Sequence, residues 1–322
     1  MSQANRVVTV TINPAIDQTI SIPNFTAGAV NRVRESQMHA GGKGINVAAF
    51  LADFGEHATA TGILGRANDE LFRRLFSEKG IVDRCVRIAG ATRIGVKIAD
   101  TALRQTTDIN FPGQTPEPAD IARLFAILGE LATEHEWFVL SGSIPAGVSA
   151  EIYAQMIRLL AGAPAGRAPK VVLDTSGEAL RQAVLAGPWL IKPNIDELAE
   201  LVAERPATAA DIVRVARVLM QRHGIASVVV SMGKAGAVFI EGVEAIWATP
   251  PAVEVQSTVG AGDAMVAGIV AGKLAGLPLA ECARLATAFS VAAIGRIGSG
   301  LPSLAAVEAA RARVAIRPIS DG

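Results

Sequence analysis

The chain has 322 residues, which is enough to bury a large core. Its 30 Lys and Arg residues equal its 30 Asp and Glu residues, so no global field attracts nucleic acid or an anionic membrane surface. Half of the residues are hydrophobic but only 4% are aromatic, which is typical of aliphatic helices packed on a parallel sheet. These values indicate a globular α/β protein that binds any anionic substrate through local groups.

The cysteines and the apolar segments indicate the cellular compartment of the protein. Cys85 and Cys282 are far apart, and no Cys or His lies at metal-ligand spacing. A disulfide framework and a zinc site are therefore not indicated, and a reducing cytoplasm fits best. The N-terminus lacks the apolar core of a signal peptide, and Lys273 and Pro278 interrupt the apolar run over 264–280. The sequence predicts no membrane segment.

The N-terminal third predicts a strand, a helix and two β-rich patches. A strand over 7–12 ends in a turn, and a polar, β-prone stretch follows to about residue 38. Glycines then open a helix within 40–54, and Gly55 ends it. The second β-rich patch covers 92–111. Neither patch carries a predicted helix.

From residue 117 onward, strands and helices alternate. The predicted strands lie at 138–141, 170–174, 190–192 and 227–231. This alternation favours right-handed βαβ units and a parallel sheet with helices on both faces, a fold in which ligands bind at the carboxyl ends of the strands. Polar residues follow the predicted strands at 13–17, 141–143, 174–176, 194–197 and 231–236.

The most informative motif is Ser257-Thr-Val-Gly-Ala-Gly-Asp263, directly before a small-residue run that predicts a helix. Gly260 and Gly262 allow backbone N–H groups to approach an anion, and a helix N-terminus adds positive potential. A bound polyphosphate repels the Asp263 carboxylate unless that group has a task, such as taking a proton from an attacking hydroxyl. The motif therefore indicates a phosphoryl-transfer enzyme. The structural alternative is a glycine-rich turn in which Asp263 caps the helix.

A second glycine-rich segment, Gly41-Gly-Lys-Gly44, lacks the spacing and the terminal Lys-Ser/Thr of a P-loop NTPase. Its flexible backbone and the Lys43 ammonium can still bind an anionic small molecule, and Asn46 offers a donor and an acceptor to hydroxyls. The alternative is a helix start whose glycines serve packing.

The pair Asn194 and Glu197 follows a predicted strand at helical spacing. Their oxygens suit Mg²⁺ or its waters. The alternative is an N-cap with a capping-box Glu.

The segment 231–237 is a tight glycine turn after a strand. Such a turn can bring backbone N–H groups close to a nucleotide phosphate. A plain hairpin turn explains it equally well.

Arg93 and Lys97 are four residues apart in a β-rich segment, so their side chains share one face. Two cations on one face can grip a dianionic phosphate. A solvated strand face is the alternative.

Three of these motifs resemble signatures of the ribokinase-like, or PfkB, carbohydrate kinases. The first two are Gly42-Lys-Gly-Ile-Asn-Val-Ala48 and Thr258-Val-Gly-Ala-Gly-Asp263, and Lys192-Pro-Asn-Ile-Asp-Glu197 resembles the family's Asn-x-x-Glu magnesium motif. The similarity covers essentially the whole chain. It implies an α/β fold, with a three-layer α/β/α core around a central, mostly parallel sheet and a small β-sheet lid. The implied core comprises 1–13, 40–90 and 112–322, and the implied lid comprises 14–39 and 91–111.

The resemblance also implies roles for individual residues. Asp263 would be the catalytic base, beside an anion hole formed by the backbone of Gly260, Ala261, Gly262 and Asp263. The sugar hydroxyls would be held by Asp17, Gly42 and Asn46, and the phosphate already on the sugar by Lys43, Arg93, Lys97 and Ser143. The ATP site would be lined by Lys192, Asn194, Ser231, Gly233, Gly236 and Thr258. Mg²⁺ would be held by Glu197 and Asn194, with Glu197 acting through the ion's waters.

Within the family, the chain is most similar to the branch that phosphorylates fructose 1-phosphate at its 6-hydroxyl. The segments that carry this similarity are 11–17, 31–33, 92–93, 107–113 and 141–147. One departure is Gly95, where that branch commonly has an Asn whose amide could contact the substrate. Asp108, in turn, stands where the branch acting on fructose 6-phosphate carries an Arg.

Several alternatives stay open at this point. Within the family, tagatose 6-phosphate and fructose 6-phosphate are the competing substrates. From another class, a non-catalytic sugar-phosphate sensor is the competing function. Family lids often pair, so the resemblance also implies a homodimer formed through the lid.

Overall fold

The computed structural model describes residues 6–103, 105–163, 168–253, 260–294 and 300–319. Within these ranges the chain forms fifteen strands and ten α-helices. The strands are β1 (Val7–Thr11), β2 (Ala15–Ser21), β3 (Glu35–Gly41), β4 (Ala58–Gly65), β5 (Val82–Asp83), β6 (Val86–Ile88), β7 (Ile94–Asp100), β8 (Gln105–Asn110), β9 (Trp137–Ser141), β10 (Lys170–Asp174), β11 (Leu190–Ile191), β12 (Ser227–Ser231), β13 (Ala237–Glu241), β14 (Glu244–Thr249) and β15 (Ala315–Pro318). The helices are α1 (Lys43–Asp53), α2 (Glu70–Lys79), α3 (Pro118–Leu131), α4 (Ile152–Ala161), α5 (Gly177–Val184), α6 (Ile195–Val202), α7 (Ala209–His223), α8 (Ala261–Leu274), α9 (Leu279–Ile294) and α10 (Leu304–Arg313).

The large sheet is mostly parallel, as the sequence predicts. Its strand order is β15-β14-β13-β12-β11-β10-β9-β1-β4-β5, and β6 pairs with β4. The strands from β12 across to β5 run parallel, whereas β13, β14 and β15 are added antiparallel. The βαβ alternation expected after residue 117 therefore ends at β12. A tight turn containing Gly233 and Gly236, both at positive φ, returns the chain directly into β13.

Helices cover both faces of this sheet and form the outer layers of an α/β/α arrangement. Successive strand residues point to opposite faces, so each strand contributes to two cores. On one face, side chains such as Val139 and Val172 pack with those of α1, α8 and α9. On the other face, side chains such as Phe138 and Leu173 pack with those of α3, α4 and α7. This burial on both faces explains the continuous apolar strands in the sequence.

Close backbone contacts fix the helices that carry the site. Gly42 caps α1 at φ 122°, and a Cβ there would lie 2.9 Å from Thr11 Cγ2, so a glycine is required. The α8 helix is buried along nearly its whole length. It approaches α9 closely because Gly268 faces the backbone of Ala286, where a Cβ would lie only 2.6 Å from the Ala286 Cα atom. A buried helix held on several sides keeps a fixed N-terminus.

The four remaining strands form a small separate sheet in the order β3-β2-β7-β8. Both predicted β-rich patches lie in it, and the described residues of 14–38 and 92–111 carry no helix. Asp17 on β2 lies opposite Gly95 on β7, and Gly95 lies opposite Asn110 on β8. Among the described residues of the chain, no helix is long and apolar enough to cross a membrane.

Candidate active site

The polar residues that follow the parallel strands meet at the carboxyl edge of the large sheet. The Asn13 side chain, just after β1, donates a hydrogen bond to Ser143 Oγ, just after β9, over 3.0 Å. Asn194, after β11, forms an isolated parallel bridge with Ser231 at the end of β12. Parallel strands present all their carboxyl ends on one edge, so residues far apart in sequence become neighbours there.

Asp263 lies at the centre of this edge, in the first turn of α8. Its side chain is buried, and Asn46 Nδ2 on α1 donates a hydrogen bond of 2.8 Å to Asp263 Oδ2. The Asn46 Oδ1 atom is buried and has no hydrogen-bond partner. A buried amide oxygen without a partner is costly, so this atom suits a donor from a ligand, such as a sugar hydroxyl.

Asp174, at the end of β10, connects two predicted lysine ligands, a role that the sequence analysis missed. Its carboxylate is buried between Lys192 Nζ at 3.1 Å and Lys43 Nζ at 3.3 Å. The sequence pattern places Asp174 among the polar residues that follow strands but assigns it no part in the site. The sequence shows that Asp174 ends a strand, which was the available signal for a role in the site. It does not show that Asp174 pairs with Lys43, more than 100 residues away.

The two buried aspartates have opposite pKa shifts. Burial raises the pKa of Asp263 to about 6, and the negative charge of Asp174 adds to the rise. Burial also acts to raise the pKa of Asp174, but the charges of Lys192 and Lys43 outweigh it and lower that pKa. The Asp174 charge in turn raises the pKa of Lys43. One carboxylate is thus held as a charged anchor, while the other has the proton affinity of a base that works near neutral pH.

The N-terminus of α8 forms a candidate anion site beside Asp263. Gly260 caps the helix in a left-handed conformation at φ 81°. Helix geometry leaves the N–H groups of the first turn without intrahelical acceptors and gives this end a partial positive charge. Lys192 Nζ lies 3.6 Å from the point where a Cβ on Gly262 would stand. The predicted ligand Thr258 lies outside the described residues.

The small sheet brings Asp17 and Lys97 to the site. Lys97 Nζ donates a hydrogen bond of 2.9 Å to Asp17 Oδ1, so these two predicted ligands form an ion pair. Asp17 also lies against Gly41, where a Cβ would be 2.6 Å from its Oδ2 atom. At Gly95 a Cβ would lie 3.2 Å from Asp17 Oδ1 and 3.6 Å from Asn110 Oδ1. The side-chain amide of Asn110 therefore lies next to Gly95, which carries no side-chain amide.

Arg93 lies where the chain passes between the two sheets. Its two terminal nitrogens each lie 3.4 Å from a backbone carbonyl, one of Asn13 and one of Phe111. Its Nε atom is buried and has no hydrogen-bond partner. Burial lowers the pKa of Arg93, and the negative charge of Asp17 acts in the opposite direction. Because the Arg93 guanidinium makes only these two long hydrogen bonds, it retains N–H donors for an anion.

Asn194 and Glu197 form the capping box that the sequence analysis named as the structural alternative to a metal site. Asn194 Oδ1 accepts from the N–H groups of Asp196 and Glu197, and Glu197 Oε2 accepts from the Asn194 N–H over 2.8 Å. Within the described ranges, no group of three His, Cys, Asp or Glu residues could hold a metal ion. This donor set fits Mg²⁺ held through its waters and through nucleotide phosphates, which is how Mg²⁺ is commonly bound.

Comparisons with known proteins identify the family of this chain. Residues 7–306 match the profile of the pfkB family carbohydrate kinases. The chain is 50% identical over 298 residues to a 1-phosphofructokinase of Rhodobacter capsulatus, covering 92% of this chain and 93% of that one. It is 42% identical to a 1-phosphofructokinase of Vibrio cholerae over 92% of each chain. A crystal structure of phosphofructokinase-2 from Escherichia coli in complex with fructose-6-phosphate matches with a TM-score of 0.87 at 28% identity, covering 96% of this chain and 99% of that one.

The chain therefore belongs to the pfkB family of carbohydrate kinases. It is a sugar kinase with the ribokinase-like fold that the sequence analysis predicts.

The opposite pKa shifts predict opposite effects on stability. The folded-state pKa of Asp263 is raised to about 6, so ionisation destabilises the fold as pH rises through that value. At pH 8, Asp263→Asn should raise the free energy of unfolding by about 3 kcal/mol, since the shift is about two pKa units, and the gain should vanish below about pH 4. Urea denaturation between pH 4 and pH 8 measures the effect.

Asp174→Asn is the matched control, because the pKa of Asp174 is lowered and its charge stabilises the fold above the unfolded-state pKa. This variant should lose about 3–5 kcal/mol at pH 8, since it leaves the charge of Lys192 buried without its partner. The loss should persist from pH 8 down to about pH 4 and shrink only below that, where the Asp174 carboxylate of the unsubstituted protein becomes protonated. Equal effects of the two substitutions at pH 8 would contradict the assignment of distinct charge states.

Proposed function

We propose that the protein transfers the γ-phosphoryl group of ATP to the 6-hydroxyl of fructose 1-phosphate, giving fructose 1,6-bisphosphate and ADP. The observation that carries this proposal is the buried Asp263, with a raised pKa, at the N-terminus of a buried helix. The choice of sugar is supported by the 1-phosphofructokinases to which the chain is similar. The proposed place of action is the cytoplasm, which the free thiols of Cys85 and Cys282 support.

Asp263 is the general base of the proposed reaction. Asn46 occupies its Oδ2 atom, so the Oδ1 atom is the one available to accept the proton of the 6-hydroxyl. A pKa of about 6 keeps the carboxylate mostly ionised at neutral pH, yet gives it more proton affinity than an ordinary Asp. The hydroxyl oxygen then attacks the phosphoryl group in line with the leaving group.

The backbone at the start of α8 stabilises the charge of the phosphoryl group in transit. The N–H groups of Ala261, Gly262 and Asp263 point along the helix axis toward the carboxyl edge of the sheet, and Gly260 keeps that approach open. Such fixed dipoles need no reorganisation during the reaction. Gly260 and Ala261 are half-buried and Gly262 is exposed, so the bound substrates themselves would exclude water from these dipoles and strengthen them.

The sugar phosphate binds between the large sheet and the small sheet, which acts as a lid. The hydroxyls of the sugar are contacted by Asp17, Gly42 and Asn46. Asp17 and Gly42 adjoin the loop that precedes α1, and Asn46 donates a hydrogen bond to the proposed base, Asp263. The ligands of the phosphate already on the sugar are Lys43, Arg93, Lys97 and Ser143. The Lys43 and Lys97 charges are each shared with an aspartate, whereas Arg93 has a buried donor to spare.

The nucleotide binds along the carboxyl ends of β11 and β12. Its proposed ligands are Lys192, Asn194, Ser231, Gly233, Gly236 and Thr258. The positive φ of Gly233 and Gly236 supports a close backbone approach to a phosphate. Glu197 and Asn194 would hold Mg²⁺ beside the nucleotide, Glu197 through the ion's waters and Asn194 by orienting the Glu197 carboxylate in the capping box, and the ion would neutralise phosphate charge.

The sugar specificity is tested with a substrate panel. Fructose 1-phosphate, fructose 6-phosphate, tagatose 6-phosphate and ribose are ranked by kcat/KM in a coupled assay for ADP release. We expect fructose 1-phosphate to rank first, by at least about tenfold, because one lost charge-assisted contact is worth roughly 1.5–3 kcal/mol. A first rank for another sugar phosphate would overturn the substrate, and no ADP release with any of the four would favour a sensor.

The base is tested by Asp263→Asn. This substitution keeps the size of the side chain and a partner for Asn46, so nucleotide binding should survive while kcat falls by roughly 10²–10⁴. In the unsubstituted protein, kcat/KM should fall as pH drops through about 6, because the base becomes protonated. A loss below about tenfold at pH 8 would remove Asp263 from this role.

We further propose that the protein forms a homodimer through the small sheet. Met38, Gln18, Val96 and Ile109 lie in one row across this sheet, on the face opposite Asp17. Three of these four side chains are apolar, and Met38 is 44% exposed and Ile109 is 46% exposed, so this row is open to a second copy.

Light scattering of the intact protein should give the mass of a dimer, and Ile109→Glu should reduce it toward that of a monomer. Leu185→Glu, at an exposed leucine after α5, is the matched control and should leave the mass unchanged. A monomer at all concentrations would contradict the proposal.

A further inference from the structure

Asn13 has been given no role so far, yet it touches two of the proposed phosphate ligands. Its Nδ2 atom donates to Ser143 Oγ over 3.0 Å. Its backbone carbonyl lies 3.4 Å from a terminal nitrogen of Arg93. The residue stands directly after β1, at the point where the chain leaves the large sheet for the small one. It is therefore in contact with ligands from both sides of the proposed sugar site.

The contact with Ser143 determines where the serine hydroxyl can donate. A serine hydroxyl has one proton and two lone pairs, and an amide nitrogen can only donate. Because Ser143 Oγ accepts from Asn13, its single proton is free for another acceptor. A phosphate oxygen is such an acceptor, and an O–H donor to an anion makes a strong hydrogen bond.

Gly113 leaves room for the Asn13 amide. A Cβ on Gly113 would lie only 2.1 Å from Asn13 Oδ1, so the amide oxygen occupies the space that a side chain at residue 113 would fill. With the oxygen on this side, the amide nitrogen faces Ser143. The absence of a side chain at residue 113 is thus part of the same arrangement.

We propose that Asn13 is a positioning residue of the phosphate subsite, which orients the Ser143 hydroxyl as a donor toward the phosphate on the sugar. The inference rests on the proposed function, since Ser143 is assigned to that phosphate there. The Asn13 amide acts through Ser143 and makes no contact with the substrate itself. Its effect belongs to the binding of the sugar phosphate and not to phosphoryl transfer.

The test compares three substitutions by KM for fructose 1-phosphate, KM for ATP, and kcat. Asn13→Ala removes the donor and should raise KM for fructose 1-phosphate by about 3–10-fold. Asn13→Asp keeps the shape but replaces the donor with an acceptor that captures the serine proton, and should raise the same KM more than Asn13→Ala does. Gly113→Ala retains Asn13 but displaces its amide, and should resemble Asn13→Ala. In each case kcat and KM for ATP should stay within about twofold, a split that a general loss of structure would not give.

The decisive comparison uses Ser143→Ala. If the amide acts through the hydroxyl, adding Asn13→Ala to Ser143→Ala should change KM for fructose 1-phosphate by less than about twofold. If Ser143→Ala alone leaves that KM unchanged, the phosphate subsite of the proposed function fails, and the inference with it. Suppose that Ser143→Ala raises KM for fructose 1-phosphate. If Asn13→Ala then has no effect on that KM, or if the two effects multiply in the double variant, the inference is overturned and the proposed function stands. Should Asn13→Ala fold poorly, Asn13→Asp and Gly113→Ala decide the same question.

Discussion

The structure of this site depends on one buried interaction, the bridge in which Asp174 holds Lys43 and Lys192. Two ammonium groups at one location repel each other, and the lysines remain there because a carboxylate with a lowered pKa lies between them. The same negative charge adds to the burial that raises the pKa of Asp263. A single residue at a strand end thus holds two cations in position and contributes to the proton affinity of the proposed base.

The fold supplies these groups from elements that are distant in sequence. Asp174 ends β10, Lys43 begins α1, Lys192 follows β11 and Asp263 lies in α8. The parallel strands bring their carboxyl ends to one edge, and the helices that begin there point their positive ends at the same space. Burial on both faces of the sheet holds this edge rigid. The charged side chains are therefore already in place, and binding of a substrate costs little conformational entropy of these side chains.

Much of the architecture could be predicted because its signals are local. Glycine-opened helices give boundaries within a few residues, as with the helix expected within 40–54 and found at Lys43–Asp53. The role of Asp174 could not be predicted, because its pairing with Lys43 spans 131 residues. The hairpin after β12 remained one of two equally supported interpretations of the sequence for a related reason. A glycine turn between two apolar strands has the same local pattern whether it binds a phosphate or reverses the chain.

The chemistry is easier to predict than the sugar, and the structure shows why. The proposed base and the proposed anion site lie within four consecutive residues, 260–263, so one motif describes them both. The proposed sugar contacts instead come from β2, β7 and the loops after β1 and β9, whose mutual positions depend on strand register. The strand register places the side-chain amide of Asn110 opposite Gly95, which has no side-chain amide of its own. The proposed specificity therefore depends on the pairing between strands, which the sequence of any one strand does not contain.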